Sequence, residues 1–163
     1  MRRHHQESDA GNVCPDDPNP VNPNEKPRAG NNAAIILPDV DIQKTALHTA
    51  HALWFNAGQV CLAARRLLIH ESIYEAFVAA LAAATDALAA DLAANVGPIQ
   101  NEAQFQRICE SVQQCRDQGL RFATGEDPSA TPAGLFVHPV IVDNAPEEAA
   151  VVQEEQFGML ICL

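Results

Sequence analysis

The chain has 163 residues, 47% of them hydrophobic, which is enough for one domain with a real core. Its 21 acidic against 10 basic residues give a formal net charge of −11, which argues against a nucleic-acid partner or an anionic membrane surface because phosphates are repelled. No stretch reaches the ~18 consecutive apolar residues that span a bilayer, and the basic start, MRRHHQESDAG, runs into polar residues without the apolar region of a secretory signal.

In chain order, residues 1–28 come first. They hold five prolines among Asn and Asp and almost no apolar side chains, a composition that cannot offset its own ordering entropy and predicts disorder. At Ala33 the texture changes. AAIIL reads as a buried strand stopped by Pro38, and Asp39 or Asp41 then caps a helix carrying Leu47, Ala50 and Trp54 to a break at Gly58. RLLIH (66–70) is a second strand. Ser72 and Glu75 have the spacing of a capping box, and behind them Phe77, Leu81, Ala84, Leu88 and Leu92 keep a helical face to Gly97-Pro98. A third helix begins at Asn101, sets Phe105, Ile108, Val112 and Cys115 on one face, and stops at Gly119. RFATG and GLFVHPVIVDN read as strands, PEEAA as a short acidic turn or helix, and GMLICL as a core strand left open. Strands alternating with helices predict an α/β layer structure around a largely parallel sheet.

The candidate chemistry is sparse. His48 and His51 lie three apart on one helix, which is ligand spacing, but no further ligand is spaced to join them, so no metal site is expected. His4 and His5 sit in the tail. The five cysteines, Cys14, Cys61, Cys109, Cys115 and Cys162, form no disulfide framework, and a reducing, cytoplasmic setting is the expectation. Cys109 and Cys115 are six apart on a helix and face different ways. There is no G-x-G-x-x-G after a strand and no Walker loop. Cys61, after the turn FNAGQV, is on composition alone either a small buried hydrophobe or a nucleophile with a fixed backbone.

FNAGQVC resembles the cysteine motif of the aldehyde dehydrogenase superfamily, whose last residue carries the catalytic thiol. Other stretches resemble that family in its own order. GNNAAIILPDVD is similar to the strand after its E-L-G-G segment, and RRLLIHESIYEAFVAAL to the strand and helix after the nucleophile. GPIQNEAQFQRI is similar to the segment whose Gln and basic residue reach the adenosine ribose, and EEQFG to E-x-F-G-P, which holds the nicotinamide end. The resemblance runs from residue 29 to 163. It implies part of an aldehyde dehydrogenase catalytic domain, truncated at both ends, and an oxidoreductase that takes a small aldehyde to a carboxylic acid with NAD or NADP. By position it implies Cys61 as the nucleophile, with Glu155 on the nicotinamide ribose and Phe157 packed at that end of the cofactor. Gln104 and Arg107 would meet the adenosine side.

The resemblance also has gaps. The family's deacylating Glu falls on Pro27, with Arg28 and Ala29 after it, and Glu25 is out of register. Met159 stands where the family has Pro. The family's dinucleotide-binding domain and its oxyanion Asn lie outside this region. The resemblance therefore implies a chain with little or no dehydrogenase activity of its own. The competing expectation is a non-catalytic protein that docks on aldehyde dehydrogenase subunits through the open strand at GMLICL.

Overall fold

The computed structural model describes residues 30–125 and 134–163; residues 1–28, read as disordered, lie outside the described residues. The elements in chain order are β1 (Asn32–Ile36), α1 (Ile42–Trp54), β2 (Ala64–Ile69), α2 (Tyr74–Ala89), α3 (Leu92–Asn95), α4 (Glu102–Asp117), β3 (Arg121–Thr124), β4 (Val140–Asp143), α5 (Ala150–Gln153) and β5 (Leu160–Cys162). The strands form one sheet in the order β1-β2-β5-β4-β3. The β1–β2, β2–β5 and β5–β4 pairs are parallel, and β3 is an antiparallel edge. The sheet is thus the largely parallel one that the alternation of strands and helices predicts.

Because side chains alternate along a strand, each face of the sheet builds its own core. Ile141 and Ile161 face one way, where Leu67, Phe77, Leu81, Leu53 and Trp54 pack with them from β2, α2 and α1. Val140, Val142, Leu160 and Cys162 face the other way and meet Val112 and Cys115 of α4 with Val151 and Val152 of α5. One polar pair bridges α1 and α2: the Trp54 indole N–H donates to Thr85 Oγ1 at 3.0 Å, fully buried. Residues 71–89, which include α2, have the length and mean hydropathy (1.3) of a membrane-crossing segment by composition alone. Here Phe77, Val78 and Leu81 are buried in the protein core.

Several local expectations are corrected. Asp41, not Asp39, caps α1, accepting from the Lys44 N–H at 3.0 Å. Leu47 is exposed, and Ala46, Ala50, Leu53 and Trp54 form the buried face instead. The capping box at Ser72 and Glu75 does not form. The Ser72 N–H and Oγ both engage His70 Nδ1, at 3.2 and 2.9 Å, so residues 71–73 make a 3₁₀ turn and α2 starts at Tyr74. The helical face expected to run on to Leu92 breaks after Ala89, because Asp91 caps a new turn by accepting from the Ala94 N–H. Of GLFVHPVIVDN only Val140–Asp143 is a strand, beginning after Pro139, which has no N–H to donate. The open edge expected at GMLICL is also overturned. β5 lies in the middle of the sheet between β2 and β4, with Leu160 and Ile161 fully buried.

α4 follows its sequence closely. Asn101 caps it, accepting from the Gln104 N–H at 2.9 Å, and Ile108, Val112 and Cys115 are buried. Cys109 is only partly buried, on a different face from Cys115.

Candidate active site

β1, β2 and β5 run parallel, so the turns that precede them meet at one edge of the sheet. Gly30 precedes β1, residues 55–61 precede β2, and residues 155–158 precede β5. Cys61 lies in the second of these turns and is exposed. The backbone before it is unusual: Asn56, Ala57 and Gly58 all have positive φ, at 53°, 54° and 66°. For the two non-glycine residues that is a strained conformation, held only when the surroundings determine it.

The surroundings do so through side chains that donate to the turn's carbonyls. Gln59 Nε2 donates to Asn56 O at 3.1 Å and to Pro98 O at 3.2 Å, while its Oε1 accepts from the Gln100 N–H at 2.9 Å. That ties the cysteine turn to the loop before α4. Asn32 Nδ2 donates to Cys61 O at 2.7 Å, tying it to β1. Arg65 on β2 donates from Nη2 to Gly58 O and from Nη1 to Gly158 O at 2.7 Å.

The turn before β5 carries Glu155 and Phe157, both half-buried, and Phe157 also has a positive φ, 37°. A Cβ placed on Gly30 would lie 3.0 Å from Cys61 O and 3.8 Å from Glu155 Oε1. Gly30 therefore lies between the cysteine's backbone and that carboxylate, although the two residues are 94 positions apart. Gln104, buried on the first turn of α4, donates from Nε2 to Gln156 O at 3.2 Å and to Phe157 O at 2.9 Å. Its Oε1 accepts from Arg107 Nη1 at 3.2 Å. The Gln104 amide is thus engaged within the protein, while Arg107 itself is exposed.

All five residues singled out in the sequence therefore gather at this edge. Cys61 and Glu155 flank Gly30, and Gln104 links Arg107 to the Phe157 turn. Residues 55–61 are also close-packed on 155–158: a Cβ on Gly58 would lie 2.3 Å from Gly158 O. Arg65, Gln59 and Asn32 escape sequence reasoning, since nothing local marks an arginine beside a second arginine as buried. Pro27, at the family's base position, lies outside the described residues. His48 and His51 are exposed on α1, and no group of three ligating side chains occurs among the described residues.

A glutamate carboxylate can accept from two neighbouring hydroxyls, and an aromatic ring beside it offers a flat apolar surface. Glu155 and Phe157 set such an acceptor and such a surface side by side on one turn.

Comparison with known proteins identifies the family and the fold. The model of the aldehyde dehydrogenase family matches residues 28–163. The chain is 42% identical over 134 residues to aldehyde dehydrogenase LUC3 of a Fusarium species, covering 82% of this chain and 29% of that protein. It is 35% identical to a 2-hydroxymuconic semialdehyde dehydrogenase of Pseudomonas putida, covering 79% of this chain and 28% of that one. Its fold superimposes on the crystal structure of a Mycobacterium tuberculosis aldehyde dehydrogenase complexed with NAD+, with a TM-score of 0.73 and 31% identity over 82% of this chain and 29% of that one. The chain spans less than a third of the length of these relatives, and it belongs to the aldehyde dehydrogenase family.

Proposed function

We propose that this chain carries the thiol and the nicotinamide-side turn of an NAD(P)-dependent aldehyde-oxidising oxidoreductase. The observation that supports the reading best is the convergence of Cys61 and Glu155 on the two sides of Gly30. Cys61, exposed on a backbone fixed by Asn32 and Gln59, is the nucleophile. Its thiolate attacks the carbonyl carbon of a small aldehyde, a C–S bond forms, and the carbonyl electron pair moves to oxygen, where the Cys61 N–H can donate to it. A bound nicotinamide supplies the hydride acceptor that lets the adduct on Cys61 become a thioester.

Glu155 holds the ribose hydroxyls and Phe157 supports the ring end. Arg107 faces the adenosine side, and Gln104 contributes there by fixing the Phe157 turn. NAD is the nearer expectation, from the NAD+ complex of the tuberculosis relative, with NADP as the other candidate. With Pro27 at the base position, nothing carried over from the family deprotonates the deacylating water. The acyl group therefore stays on Cys61, and the chain alone has little or no turnover in its cytoplasmic setting.

β1, the terminal strand of the sheet among the described residues, favours a second reading, in which the chain associates with aldehyde dehydrogenase subunits. Ile35 is 69% exposed there, beside Leu37 and Leu68. One experiment tests the thiol reading. The folded chain is treated with 4-nitrophenyl acetate and followed by nitrophenolate release and site-resolved mass spectrometry, with Cys61→Ser as control. A single-turnover burst with the acetyl group on Cys61 is expected. A folded chain that acquires no acetyl group at Cys61 overturns the thiol reading, and steady aldehyde-dependent NADH formation overturns the claim of inactivity.

A further inference from the structure

We propose that Arg65 is a positioning residue that locks the turn carrying Cys61 to the turn carrying Glu155 and Phe157. Two adjacent arginines on a strand must point to opposite faces of the sheet. Arg65 is the one inside, only 2% exposed. A buried guanidinium is costly unless its N–H groups are used and an opposite charge is near. Arg65 has both. Its Nη1 and Nη2 donate to the carbonyls of Gly158 and Gly58, and the Glu155 carboxylate partly offsets the downward pull that burial exerts on its pKa.

The two acceptors are 100 positions apart in the chain. The planar fork of a guanidinium can hold two such carbonyls at a fixed separation, which the single ammonium of a lysine cannot do as rigidly.

The glycines at both contact points belong to the same device. A side chain at Gly58 would strike the Gly158 carbonyl, and a Cβ on Gly158 would lie 2.1 Å from Ile108 Cδ1. The two turns are therefore at close backbone approach, with Arg65 fastening one side and Ile108, midway along α4, pressing on the other. A motion of either turn must break an Arg65 hydrogen bond, so thiol and carboxylate move together or not at all. That Cys61 and Glu155 are the reacting thiol and the cofactor carboxylate rests on the proposed function; the coupling of the two turns does not.

The test is amide hydrogen exchange on the whole 163-residue chain, reading the peptides around residues 54–62 and 154–160 against β1 and α1. In Arg65→Ala both peptides should exchange faster by a common factor of about ten or more, while β1 and α1 keep their protection. Millimolar ethylguanidinium should restore both turns and ethylammonium neither, because the fork and not the charge alone is required. Arg65→Lys should leave at least one turn fast. Acceleration of one turn alone, or of neither, overturns the proposal, as does equal rescue by ethylammonium. If Arg65→Ala does not fold, the wild-type chain decides: with rising urea both turns should open at one free energy with one urea dependence, and separate openings overturn the clamp. Cys61 alkylation is read alongside. Turns that loosen together while Cys61 reacts no differently support the clamp and count only against the thiol's assigned role.

Discussion

Replacing Gly58 by alanine should destabilise the chain by about 2.5–5 kcal/mol, from two separate terms. Gly58 has a φ of 66°, and an L-residue in that left-handed region costs roughly 1–2 kcal/mol. The added methyl carbon would also lie 2.3 Å from the Gly158 carbonyl oxygen, and 3.0 Å from Arg65 Nη1. Ordinary contact begins near 3.4 Å, so the turns must part by about 1 Å. That stretches one of the two hydrogen bonds of a charged, buried group, worth about 1.5–3 kcal/mol.

Urea denaturation followed by circular dichroism measures the effect. With a urea slope of about 2 kcal/mol/M the midpoint should fall by about 1.2–2.5 M. Ala57 supplies the contrast, since it already occupies a left-handed conformation with a φ of 54°. Ala57→Gly relieves about 1 kcal/mol of strain and loses one buried methyl of similar worth, so it should be nearly neutral. A Gly58→Ala midpoint within about 0.3 M of wild type would refute the claim that the turns are in contact.

Two further outcomes are expected. Thr85→Val keeps the side-chain shape but leaves the buried Trp54 indole N–H without its acceptor, which should cost about 1–3 kcal/mol. Adding Trp54→Phe should recover part of that loss, and strictly additive urea midpoints would contradict the pairing. Burial pushes the Cys162 thiol from the ordinary 9.0 up to about 11, so it stays protonated in the fold while the unfolded chain releases its proton first. Its contribution is therefore present below about pH 9 and lost as pH rises toward 11, by up to about 3 kcal/mol. Urea midpoints measured between about pH 7 and pH 10 should fall with pH, and Cys162→Ala should flatten that decline; an unchanged slope would show that Cys162 is not its source.

What could be read from the sequence divides along the range of the interactions. α4 was legible because its signals are local: the Asn101 cap, the apolar steps from Ile108 to Val112 to Cys115, and the Gly119 stop. Ser72 and Glu75 offered an equally local signal, yet His70 competes for the same serine and wins. β5 was recognisable as a strand, but not as the middle one. Its neighbours β2 and β4 lie far apart in the chain, and GMLICL carries no mark of which strands it will join. At the site, Cys61 and Glu155 could be picked out by their motifs. Arg65 could not, because period two says that Arg65 and Arg66 diverge without saying which one is buried. Gln104 was legible as a site position, though not as a residue whose amide is engaged by the Phe157 turn.

These buried polar residues have one physical cause. Ligands of open α/β sheets commonly sit beyond the carboxyl ends of the strands, whereas here the turns converge where β1, β2 and β5 begin. Left-handed backbone at Asn56, Ala57, Gly58 and Phe157 crowds that edge, and such backbone cannot satisfy its carbonyls through regular helix or sheet hydrogen bonds. Five carbonyls along these two turns, on Asn56, Gly58, Gln156, Phe157 and Gly158, accept from the side chains of Gln59, Arg65 and Gln104. Arg65 on β2 and Gln104 on α4 reach from regular elements into the irregular turns, and Gln59 braces its own turn against the Pro98 carbonyl, so rigid elements impose their geometry on the turns. An exposed thiol on a freely moving loop would meet a carboxylate from a distant turn only by chance. Cys61 and Glu155 keep their places because neighbouring side chains hold the backbone that carries them.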